Sequence, residues 1–100
     1  MEKLVWHIKN KMSELGSFET EYALDKGKVE YNNGKIIFIG RDFIRVAYDN
    51  NKTECKFFNE LDFDTLLDVF NVIMIYTKKL KYYENYILNK TKNPVLHEQF

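Results

Sequence analysis

Residues 64–90, DTLLDVFNVIMIYTKKLKYYENYILNK, carry Leu66, Val69, Ile73, Tyr76, Leu80, Tyr83 and Ile87 at alternating spacings of three and four. That repeat keeps one apolar stripe on one side of a helix, facing a single partner surface. Neither proline nor glycine interrupts it. At about 1.5 Å per residue the helix is roughly 40 Å long. A compact chain of this size has a radius of gyration of about 13 Å, hence a diameter of roughly 34 Å. The spacing therefore predicts a helix with one end projecting past its own domain or packed on another molecule.

The two halves of this helix differ. Asp64 or Thr65 is placed to cap the first free amides, and Asp68 adds favourable charge near the positive end of the dipole. The first half is apolar nearly all round, which suits a helix laid across a sheet. The second half sets Lys78, Lys79, Lys81 and Lys90 beside Tyr82, Tyr83 and Tyr86. Pro94 stops regular continuation, so residues 1–93 are expected to form one domain and 94–100 a C-terminal tail.

Upstream, residues 2–15 read as a first helix. Leu4, Val5, Ile8, Met12 and Leu15 share one arc, and Gly16 stands where a helix stops. Trp6 falls opposite that arc, so it either lies under a second element or is kept exposed for a partner. Residues 17–58 switch to the period of strands. Phe18, Thr20, Tyr22 and Leu24 alternate with Glu19 and Glu21, and a turn at Asp25-Lys26-Gly27 leads into a short segment at 29–31. In Asn32-Asn33-Gly34, Asn-Gly tolerates the positive φ angles of a tight hairpin. The run Ile36-Ile37-Phe38-Ile39 is apolar on both faces, which predicts a central strand covered on both sides. Two more strands follow, separated by turns at 40–42 and 49–52. The expected fold is α+β: an N-terminal helix, an antiparallel β-meander of four to five strands, and the long C-terminal helix packed on the sheet.

Composition narrows the function. The chain has 15 basic and 15 acidic residues among 100, which argues against a general nucleic-acid binder. Its one cysteine, Cys55, allows neither an internal disulfide nor a cysteine-based zinc site, and it is expected as a small buried hydrophobe. Trp6, His7 and Lys9 interrupt the first apolar stretch, and no run has membrane-spanning length, so a cytoplasmic protein with no membrane partner is expected. Lysine-rich, asparagine-rich usage is that of an AT-rich genome, such as a low-GC bacterium or its phages.

No catalytic constellation emerges. Glu60, Asp62, Asp64 and Asp68 lack the alternating ligands and bend glycine of a calcium loop, and read as helix-start electrostatics. With Glu19, Glu21 and Glu30 they could instead face a basic groove on a partner. His7 and His97 stand near opposite ends of the chain, with no spacing that joins them. Phosphate-cradling glycine loops, nucleophile elbows and zinc-finger spacings are missing from the sequence. The expectation is a protein that is not an enzyme and needs no cofactor or metal.

The layout is a short helix at 3–15, a meander around Asn32-Asn33-Gly34 and 35–48, and a helix from Asp64. It resembles the small Cas-nuclease inhibitors, the anti-CRISPR proteins, that phages of low-GC bacteria encode. The likeness is one of size, origin and element order over most of the chain, and it transfers no functional residue. It implies a phage or mobile-element inhibitor that blocks a host defence protein, such as a CRISPR-Cas effector, by protein–protein contact. The chain is neutral where some such inhibitors are strongly acidic, which favours a mixed apolar and polar interface over imitation of DNA. The residues expected to bind the partner are Trp6, Tyr82, Tyr83 and Tyr86 as anchors, with Lys78, Lys79 and Lys81 as the charged rim. Two rival readings are a homodimeric structural or adaptor protein, with Leu80, Tyr83 and Ile87 as its seam, and a small nucleic-acid-binding module using the Lys/Tyr face.

Overall fold

The computed structural model describes the backbone of residues 2–92 and the side chains of residues 2–89. The expected tail, 94–100, and His97 lie outside the described residues. The elements are α1 (Glu2–Leu15), β1 (Phe18–Glu19), a first 3₁₀ turn (Thr20–Tyr22), β2 (Glu30–Tyr31), β3 (Gly34–Ile39), β4 (Phe43–Ala47), β5 (Thr53–Phe57), a second 3₁₀ turn (Phe58–Glu60) and α2 (Phe63–Lys92). This is the α+β architecture that the periodicity predicts: helix, five-stranded antiparallel sheet, long helix.

β3 is the central strand. β4 lies along one of its edges and β5 beyond β4, while β1 and β2 share its other edge end to end. Both helices pack on one face of the sheet. Ile8 and Met12 from α1 meet Ile36, Ile39, Ile44 and Val46 from β3 and β4, and Leu66, Val69, Val72 and Ile73 from α2. Each of these large side chains contributes about 1.5–3 kcal/mol by leaving water. Phe58, fully buried, closes the end of the core where α1 begins.

Four sequence expectations change here. The strand expected from Phe18 ends at Glu19, because the chain winds into a 3₁₀ turn that buries Thr20 and Ala23 instead of Tyr22. The Thr20 hydroxyl donates to the Ile36 carbonyl at 2.8 Å, a bond that an alternating strand would not offer. In the hairpin, the two positive-φ residues are Asn32 and Asn33, at 46° and 65°, while Gly34 already pairs with Tyr31 in the sheet. Its lack of a side chain serves packing: a Cβ there would fall 2.6 Å from Val46 Cγ1 and 2.7 Å from the Tyr48 ring.

The third change concerns the Ile36–Ile39 run. A β-bulge at Ile37 shifts the register, so Ile36 and Ile39 both point to the core although three residues apart. The opposite face is not covered by a second layer among the described residues. Phe38 and Phe43 shield one another there, with ring centroids 5.9 Å apart, and the Arg45 guanidinium lies 5.2 Å from the Phe38 ring. Cys55, expected to be buried, stands exposed on that same open face, opposite Arg45. The fourth is the start of α2. The cap position falls to Asp62, whose carbonyl accepts the Leu66 amide at 3.0 Å and whose carboxylate accepts the Thr65 hydroxyl.

Candidate functional site

α2 runs unbroken for 30 residues, and its environment changes part-way along. Phe18 stacks on Tyr76 with centroids 4.0 Å apart, and the buried Thr77 hydroxyl donates to the Ile73 carbonyl at 2.8 Å. Leu80 is half-buried. From Lys81 to Asn89 every side chain is exposed. The molecule measures 54 × 33 × 17 Å, and the projecting end of α2 accounts for its length.

The projection starts from a fixed base. Lys79, expected on a charged rim, is instead committed to the fold: its ammonium lies 2.5 Å from Asp25 Oδ1 and 3.5 Å from the Tyr22 carbonyl. This charge-assisted contact ties the helix to the first 3₁₀ turn at the point where the domain ends. One turn further on, Tyr82 is 68% exposed and Tyr83 57%, their rings in edge contact at 5.7 Å. Tyr86, Ile87 and Leu88 are exposed as well, and so are the charged Lys78, Lys81 and Glu84.

Leu80, Tyr83 and Ile87 continue the stripe that Leu66, Val69 and Ile73 bury, so the projection carries the same apolar side past the edge of the core. The surface is a step whose floor is α2 and whose wall is the end of the domain. Tyr22, 60% exposed, stands at that end of the domain, its backbone carbonyl 3.5 Å from the Lys79 ammonium. Sequence reasoning missed it, because strand alternation assigned its ring to the same inward face as Phe18.

Trp6 is also exposed, at 62%, in edge contact with His7 at 5.2 Å. It does not join the tyrosines. α1 begins beside the second 3₁₀ turn, where Glu2 and Val5 line a cleft with Phe58 and Asn59. That is the starting end of α2, roughly 28 Å of helix from Tyr82. The structure thus gathers Lys78, Lys81, Tyr82, Tyr83 and Tyr86 on one projection and leaves Trp6 at the far end.

Several carboxylates have internal partners. Glu60 accepts the Phe57 amide at 3.2 Å, Glu30 lies 3.3 Å from Lys28, and Glu54 accepts the Tyr48 hydroxyl at 2.8 Å. Among the described residues, no group of three or more His, Cys, Asp or Glu side chains is placed to hold a metal ion. No described helix is long and apolar enough to cross a membrane. The hydrogen bond to Glu54, followed by desolvation and the nearby charges of Glu54 and Tyr31, raises the Tyr48 phenol above its ordinary 10.0. A raised folded value means that the neutral phenol stabilises the fold below pH 10 and that this contribution fades as pH climbs through the folded pKa. The Tm advantage of wild type over Tyr48→Phe should hold steady from neutral pH to about pH 10 and narrow above it; a constant gap across that range would contradict the assignment.

No protein-family model matches this chain, and no curated protein or solved structure matches it.

Proposed function

We propose that this chain is a non-catalytic binding protein that holds a protein partner against the projecting end of α2, acting as a phage or mobile-element inhibitor of a host defence protein such as a CRISPR-Cas effector. The observation that carries the reading is the run of exposed side chains from Lys81 to Asn89, with Tyr82 and Tyr83 standing clear of the core. Monomeric domains rarely keep a contiguous apolar surface in water unless a partner covers it. Tyrosines in that setting combine large contact area with a polar tip, and Lys78 and Lys81 can form the surrounding rim. The class of partner comes from the resemblance in size, composition and element order to Cas-nuclease inhibitors.

The test is DNA cleavage by purified Cas nucleases of low-GC bacteria, measured as the chain is titrated in. Wild type should suppress cleavage near stoichiometric amounts. A Tyr82→Ala/Tyr83→Ala variant should need at least about tenfold more, the loss expected of two anchor residues. Its Tm should stay within a few degrees of wild type, since both rings are exposed. Absence of inhibition across the panel would remove the inhibitor reading; full potency in the double variant would move the site off α2.

Continuity of the apolar stripe also supports a homodimer seamed by Leu80, Tyr83 and Ile87. Light scattering during gel filtration tests it, and a concentration-independent monomer ends it. A nucleic-acid module is supported less, because Lys79 is engaged by Asp25.

A further inference from the structure

We propose that β5 is a self-pairing edge: two copies of this chain join β5 to β5, antiparallel, about a two-fold axis at Cys55, and so merge their sheets. The surface is distinct from the end of α2, and the proposal stands independently of the inhibitor reading.

Among the described residues β5 has β4 as its one sheet neighbour. At one end of this hairpin the Phe58 amide donates to the Asp42 carbonyl at 2.9 Å, and at the other the Tyr48 amide donates to the Lys52 carbonyl at 2.9 Å. Backbone direction alternates along an antiparallel ladder, so Glu54 and Lys56 bond to β4 while Thr53, Cys55 and Phe57 aim their backbone groups outward. The Phe57 amide, which Glu60 accepts, obeys this parity. The outward groups of Thr53 and Cys55 form the kind of row on which another strand can pair.

Charge selects the occupant. With Cys55 opposite the second copy's Cys55, Glu54 lies opposite the second copy's Lys56, and Lys56 opposite its Glu54. Within one chain the two side chains already approach to 3.6 Å. Pairing extends that contact into a closed alternation of four charges. Moving the axis by one residue sets Lys56 against Lys56 or Glu54 against Glu54, and directly opposed like charges destabilise a ladder. An edge guarded by one sign of charge would repel its own copy in every register. Among axes at Glu54, Cys55 and Lys56, the one at Cys55 alone is complementary. On the open face it also lays Thr53 of the second copy beside Phe57, which is 53% exposed in the monomer. The Phe57 amide would then exchange Glu60 for the second copy's Thr53 carbonyl.

Cys55 supplies the readout. Residues directly opposite in a hydrogen-bonded antiparallel pair have Cα atoms about 5.5 Å apart, within the roughly 4.4–6.8 Å span of disulfides. Diamide, which takes up the two hydrogens as two thiols join, should link wild type into a dimer and leave Cys55→Ser monomeric. Glu54→Lys and Lys56→Glu should each slow linkage by at least about tenfold, and the double exchange should restore it. Sedimentation of the reduced protein at high concentration should rank the four proteins in the same order, with Tm recorded for each. The proposal is overturned if wild type neither links nor associates, or if both single exchanges link as fast as wild type. It is equally overturned if association survives them and disappears with Tyr83→Asp, which would assign the dimer to α2.

Discussion

A Phe58→Ala variant should lose about 3–5 kcal/mol of stability, whereas Phe57→Ala, one residue earlier, should lose less than about 1 kcal/mol. The two phenylalanines are consecutive, yet one is wholly buried and the other more than half exposed. Phe57 ends β5 on the open face of the sheet. Phe58 enters the 3₁₀ turn and is fully buried where that turn meets α1. Truncating it removes its transfer free energy and leaves a cavity between elements that relax only partly. A domain of this size has about 5–15 kcal/mol in total, so the loss takes a large fraction. Expressed as Tm it is a fall of roughly 12–40 °C. Thermal unfolding followed by circular dichroism decides it. Similar Tm values for the two variants would mean that the core does not close at this end as described.

The difference between these neighbours also shows where sequence reasoning stops. Both helices were legible because their apolar spacing is long and regular, and the pairing of β3 with β4 because Ile44 and Val46 alternate cleanly with Phe43 and Arg45. Whether the second face of the sheet is covered is a tertiary property that no local pattern encodes. The run from Ile36 to Ile39 looks the same whether a layer lies over it or a bulge redirects it. For that reason Cys55 was expected inside and is found outside. Tyr22 parts from Thr20, with which strand alternation grouped it, for a related reason: the 3₁₀ turn keeps Thr20 inward, where its hydroxyl reaches the Ile36 carbonyl 16 residues away, and turns Tyr22 out. At the candidate site, the tyrosines and lysines of α2 were visible as a group, because a continuous helix holds sequence neighbours together. The engagement of Lys79 by Asp25, the contribution of Tyr22 and the isolation of Trp6 all depend on contacts between distant segments.

Ending the chain after Leu80 should leave the fold intact and abolish inhibition. No described side chain beyond Leu80 is buried, so the deletion removes nothing from the core formed by the described residues. An isolated helix shorter than about 12–15 residues is marginal in water, and the projection persists because it propagates from a half already nucleated by packing. Its removal therefore takes away helix without undermining the half that remains. The shortened protein should unfold cooperatively with a Tm within about 8 °C of wild type, the shift expected for about 1 kcal/mol, and with helical signal reduced in proportion. Suppression of nuclease cleavage should fall below detection, since the anchors and their rim are gone. If the shortened chain fails to fold, the projection is a structural element and its exposed rings are not a docking surface. If it folds and still inhibits, the partner is held elsewhere, with Trp6 at the opposite end of α2 as the next residue to replace.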